Sequence, residues 1–184
     1  MMKTKFLLVA ILLAFTFTSC EKDEILDNTL TEQTRDPDGC ETAFAYEKDQ
    51  CFYEYGFKRW GWLIGPISEP YNDIHDLYAG AGKCKKTNGE LVGYISINYM
   101  DDYVEVEYHM TGDYGLIETH LYVGNNMFPQ LPNGNNTVAP GKYGNQSSHP
   151  EGTDYASYKI DDVSGDLYII AHAVVCPKKD DTPN

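Results

Sequence analysis

The chain has 184 residues, 28 of them acidic and 14 basic, for a formal net charge of −14. A balance this acidic excludes nucleic acid and anionic phospholipid headgroups as electrostatic partners, since both polyanions repel it; divalent cations, basic partners and neutral sugars stay open. The length suits one domain with a full core, and 15 tyrosines among 13% aromatic residues favour β-structure.

At the start of the chain, Lys3 and Lys5 precede an uninterrupted apolar run, residues 6–15, and Thr16, Thr18 and Ser19 lead into Cys20. This is the layout of an export signal, and the run is too short to span a bilayer. Phe17-Thr18-Ser19-Cys20 resembles the lipobox of bacterial lipoproteins, with Phe17 standing where that family usually has Leu. The resemblance implies removal of a signal peptide, residues 1–19, and acylation of Cys20. Several acyl chains on one residue would hold the protein durably in outer-membrane lipid.

Directly behind it, Glu21-Lys22-Asp23-Glu24 resembles the export signal of Bacteroidetes-type surface-exposed outer-membrane lipoproteins, which implies lipid anchoring on the outer face of the outer membrane. An acidic, solvated linker has a similar composition. Without the signal peptide, 12 basic residues face all 28 acidic ones, a formal −16.

Residues 20–39 read as a lipidated cysteine and disordered acidic tether: positions 21–39 hold seven acids, no aromatic ring and three large aliphatics. A flexible piece of that length reaches about 25 Å. Residues 40–177 read as a single domain and 178–184 as a flexible tail. Beyond Cys20 there are four cysteines, Cys40, Cys51, Cys84 and Cys176, an even number that predicts two disulfides in an oxidising compartment. Three pairings are open. The preferred one joins Cys40, which opens the domain, to Cys176, which closes it, and Cys51 to Cys84. No Cys-x-x-Cys pair supports a zinc site.

Within the domain the pattern is β throughout. Segments 42–46, 51–55, 59–64 and 74–79 read as short strands; 91–99, 104–110 and 116–123 alternate with period two and predict a three-strand meander turned by Asp101-Asp102 and by residues 111–115. Residues 125–150 form a long Gly/Pro/Asn-rich irregular stretch, with 137–139 able to add a short edge strand. Strands follow at 155–160 and 167–175, the latter apolar on both faces as a doubly covered central strand is. The fold class is all-β: an antiparallel β-sandwich of about eight or nine strands, with a β-barrel as the alternative. The segments Cys40-Glu41-Thr42-Ala43-Phe44-Ala45, Trp60-Gly61-Trp62, Glu118-Thr119-His120-Leu121-Tyr122-Val123-Gly124 and Ile170-Ala171-His172-Ala173-Val174-Val175-Cys176 resemble a class of small exported domains, which implies one domain over roughly residues 40–176 and carries over no activity.

Two constellations bear chemistry. In the expected meander, His109 faces Glu118, Glu107 faces His120 and Glu105 faces Tyr122. That puts Glu105, Glu107, His109, Glu118 and His120 on one face, where imidazole and carboxylate would take a divalent metal ion or, as paired carboxylates, serve hydrolysis. Cross-strand acid and histidine pairs also stabilise sheets with no metal. Trp60 and Trp62, two apart in a strand, would present both rings on one side as a sugar platform; a buried pair has the same spacing. No catalytic residue and no required cofactor is assigned. The expected function is a surface-tethered, non-catalytic binding or adhesion module for an extracellular glycan or protein. The alternatives are a surface hydrolase acting through the Glu/His cluster and an accessory subunit of an outer-membrane complex.

Overall fold

The computed structural model describes residues 39–179. The expected signal peptide, Cys20, most of the expected tether and the last five residues of the expected tail lie outside the described residues. Nine antiparallel strands form one sheet: β1 (Glu41–Ala45), β2 (Ile64–Ile67), β3 (Tyr71–Ala79), β4 (Glu90–Met100), β5 (Tyr103–Met110), β6 (Tyr114–Gly124), β7 (Asn145–Thr153), β8 (Tyr155–Asp161) and β9 (Leu167–Pro177). Their order is β7-β6-β9-β1-β3-β4-β5-β8, with β2 added to β9. The sheet curls until it is nearly closed and barrel-like, the second of the two architectures expected.

Alternation makes the barrel wall. Val92, Ile95, Ile97 and Tyr99 of β4, Val104, Val106 and Tyr108 of β5, Leu116 and Leu121 of β6, and Ile169, Ala171, Ala173 and Val175 of β9 fill the interior. A bulge near Ile117 lets β6 keep both Leu116 and Thr119 inside. Strand β9 is buried on its other face too, as its sequence predicts, because Ile170 and His172 lie under a second apolar layer with Phe44, Phe52, Trp62, Leu63, Phe128, Val138 and Tyr143. Loops 46–63 and 125–144 supply most of that layer, so one half of the outer wall is covered and the other half is bare.

The meander is displaced by one strand. It runs β3-β4-β5, and β6 does not pair with β5: β8 occupies the free edge of β5, with Ala156, Tyr158 and Ile160 on the interior side, while β6 lies between β9 and β7. Segment 51–55 is a 3-10 turn (Phe52–Tyr55) ended by the left-handed Gly56, and 59–64 becomes a strand only at Ile64, with Trp62 making a single antiparallel bridge to Cys51. Strand β7 arises inside the long stretch expected to be irregular. The two edge strands, β7 and β8, leave one corner at Asp154 without pairing to each other. Side chains bridge the seam: Thr119 Oγ1 stands 2.6 Å from the Tyr158 hydroxyl and 2.8 Å from His149 Nε2. Pro150 in β7 and Lys159 in β8 discourage further strand addition at these edges.

The disulfides are Cys40–Cys176 and Cys51–Cys84, the preferred pairing. The first joins neighbouring strands where Glu41 faces Val175; the second ties the turn before Phe52 to the β3–β4 connection. By loop-closure entropy, separations of 136 and 33 residues correspond to about 5 and about 4 kcal/mol. Guanidinium denaturation of Cys40→Ala/Cys176→Ala and Cys51→Ala/Cys84→Ala chains is expected to show both destabilised, the first more; the reverse order would contradict the role given to the terminal bridge.

Candidate functional site

The tryptophans belong to packing. Gly61 between them has φ +141°, so the extended alternation breaks and the two rings meet edge to face, with centroids 5.7 Å apart, instead of lying side by side. Trp62 is 2% exposed in the outer apolar layer, and half-buried Trp60 stands edge-on to Phe44 at 5.1 Å. A methyl at Gly61 would overlap the Phe52 ring, which closes the only room a side chain there would need. The sugar platform expected from Trp60 and Trp62 is therefore not formed.

The five-residue cluster is divided by the strand order. Glu105, Glu107 and His109 stand on β5, and Glu118 and His120 on β6, across the seam. Among the described residues no group of three or more His, Cys, Asp or Glu side chains is placed to hold a metal ion. The expected register failed because it assumed that a short turn makes adjacent strands pair, whereas each edge of β5 is taken by another strand.

What remains on β5 is the centre of the bare wall formed by β3, β4, β5 and β8. Registers align its outward residues in rows: Asn72, Asn98, Glu105 and Lys159; Ile74, Ser96, Glu107 and Ser157; Asp76, Tyr94, His109 and Tyr155. Glu107 is the organised group. The Tyr155 hydroxyl donates to Oε1 at 2.6 Å, the Ser96 hydroxyl donates to Oε2 at 2.9 Å, and His109 Nε2 stands 3.3 Å from Oε2. These bonds, that of Tyr155 foremost, hold its carboxyl below the usual glutamate range despite some desolvation. Tyr94 stacks on His109 at 4.8 Å, and Tyr155 stands edge-on to the same imidazole at 5.2 Å. Ile74 and Tyr155 are 61% and 48% exposed, so the wall offers apolar surface beside an ordered carboxylate. Sequence reasoning found Glu105, Glu107 and His109 but not Tyr94, Ser96 or Tyr155; strand alternation marks Tyr94 and Ser96 as outward, while Tyr155 reaches Glu107 only through the long-range β5–β8 pairing.

On the covered side, His120 and His172 are register partners with their Nδ1 atoms 3.1 Å apart. One imidazole must donate and the other accept, so the two cannot both be protonated at these nitrogens. Glu118 lies 3.8 Å from His120 Nε2, and Gln146, Ser147 and Ser148 complete a shallow recess of about 210 Å3. Burial and the neighbouring His120 push His172 down to about 3; burial also lowers His120, against the pull of Glu118, and His149 at the seam. His75, on the interior face of β3, meets the Tyr71 hydroxyl at 2.9 Å and the Tyr46 carbonyl at 3.3 Å. These histidines are satisfied packing groups.

Because the unfolded chain protonates its histidines near 6.5 while folded His172 stays neutral, stability is complete above that pH and falls as pH drops toward 3. Between pH 6.5 and 5, where carboxylates change little, His172 alone accounts for about 2 kcal/mol. Urea denaturation at pH 7.5, 6 and 5 should show this loss, and His172→Gln should remove most of it; a stability unchanged down to pH 5 would contradict the buried neutral pair. Comparison of the chain with protein-family models, curated proteins and solved structures finds no match.

Proposed function

We propose that this chain is a non-catalytic binding module, held on the outer face of an outer membrane by acylated Cys20, that docks an extracellular glycan or protein against the bare β3-β4-β5-β8 wall. The observation that carries the reading is the Glu107 row system. Its carboxylate is fixed by Tyr155 and Ser96, with exposed rings, amides and an isoleucine set around it on a rigid sheet. Ordered acceptors beside aromatic area bind polar ligands at low entropic cost, because little is left to immobilise on association. The acidic character of the chain favours partners that are neutral or basic at this face. The tether residues would keep the domain clear of the lipid, and the disulfides suit an oxidising exterior.

One experiment separates place from binding. Intact cells producing the full chain are stained with an antibody to the domain and applied to arrays of glycans and extracellular matrix proteins. The wild type is expected to stain and adhere; Cys20→Ala is expected to lose staining; Ile74→Asp/Tyr155→Ala is expected to stain normally but lose at least about tenfold in adhesion. Adhesion unaffected by the wall substitutions would refute the docking face, and staining unaffected by Cys20→Ala would refute the anchor.

A further inference from the structure

A second surface stands apart from the bare wall and has the opposite charge. Loop 52–61 folds back on itself: Phe57 N–H donates to the Phe52 carbonyl at 3.2 Å, and Phe52 N–H donates to the Gly61 carbonyl at 2.9 Å. Phe52 is buried at the centre of this loop, and Lys58 and Arg59 are turned out to solvent. Opposite them, the long stretch after β6 makes a small hairpin in which Gln130 bridges Asn136, Leu131 N–H donates to the Asn135 carbonyl at 2.8 Å, and Thr137 N–H donates to the Pro129 carbonyl at 2.9 Å. Buried Phe128, Val138 and Tyr143 pin that hairpin to the outer apolar layer, with the Tyr143 hydroxyl donating to the Val138 carbonyl at 3.0 Å. Both loops are thus fixed from beneath.

Between them lies a recess of about 280 Å3 bounded by Phe57, Lys58, Arg59, Asn136 and Thr137. No described acidic residue lines it. In a chain with 28 acidic residues against 14 basic ones, that is a selective arrangement. As for most described basic residues, no described carboxylate pairs with Lys58 or Arg59; what distinguishes these two is that they are adjacent and line one recess. Two adjacent cations without a described carboxylate partner, a primary amide, a hydroxyl and an aromatic wall form a donor set for an anion carried on a small polar ring. The volume lies just below the range usual for drug-sized ligands and suits a single ring.

We propose that this recess binds an acidic monosaccharide unit. Its carboxylate would be held by Arg59 and Lys58, its hydroxyls by Asn136 and Thr137, and its apolar edge would lie against Phe57. The guanidinium supplies the paired, charge-assisted hydrogen bonds that a planar carboxylate accepts best. The site is separate from the Glu107 wall, and either can stand without the other.

The test is an NMR titration of the 15N-labelled full chain in detergent with methyl glucuronide, methyl glucoside and sodium sulfate. The glucuronide is expected to shift the amides of residues 57–59 and 136–137, and to bind at least about tenfold more tightly than the glucoside or sulfate. Arg59→Gln and Lys58→Gln are each expected to weaken it by at least about fivefold, with affinity falling as salt rises. Equal affinity for the glucoside would overturn the anion requirement, equal affinity for sulfate would overturn the ring requirement, and an Arg59→Gln chain that binds like the wild type, or the absence of any binding, would overturn the site.

Discussion

Strand β9 is the constraint on which the rest of the structure depends. It pairs along its length with β6 on one edge and with β1 and β2 on the other, so its backbone groups are spent on the ladder. Its two faces serve different layers. Ala171, Ala173 and Val175 are small enough to let the barrel curl tightly around its interior, while Ile170 and His172 form the floor for the outer aromatic layer. At about 1.5–3 kcal/mol for each fully buried aliphatic side chain, this single strand contributes a large share of the burial that offsets chain entropy. The Cys40–Cys176 bridge lies at its end and keeps β1 beside it even when the chain loosens.

The asymmetry of the outer wall follows from β9. The strands next to it, β1 and β6, are roofed by loops because those loops carry Phe52, Trp62, Phe128 and Val138 and must bury them. The strands far from it, β4, β5 and β8, carry polar groups outward and need no roof. The result is a domain with its aromatic mass on one side, its organised acidic wall on the other, and a basic recess at the surface of the roofing loops. Surface loops held by a rigid scaffold are where binding groups are easiest to vary without disturbing the core, and here the scaffold under both loops is the same strand. The neutral His120–His172 pair reflects the cost of this design: a polar side chain is carried into the apolar contact zone and is satisfied by only one neighbour of its own kind.

Much of this was legible in the sequence wherever the information was local. Period-two alternation located β4, β5 and β6, strand-like runs at 155–160 and 167–175 marked β8 and β9, the apolar run identified β9 as covered on both faces, and the order of the cysteines suggested the pairing observed. Pairing partners were a different matter. Nothing between Met110 and Tyr114 indicates that β6 leaves β5, because that choice depends on β8, which begins at Tyr155, offering a better complement to the β5 edge. The Glu/His cluster was lost for that reason, and the Glu107–Tyr155 bond was invisible for the same one. Trp60 and Trp62 misled because the left-hand φ of Gly61 cancels the alternation that two-residue spacing implies. Strand β7, with Gln146, Ser147, Ser148 and Pro150, has no apolar period at all; it is a strand because β6 offers it an edge, which no propensity reports.

The central claim, that β9 is the last element to yield, is tested most directly by residue-resolved native-state hydrogen exchange on the full chain. The account predicts that the β9 amides exchange only through global unfolding, with protection that tracks denaturant stability, while amides of β7 and β8 along the seam open at lower cost. Exchange in β9 as fast as in β7 or β8 would contradict it.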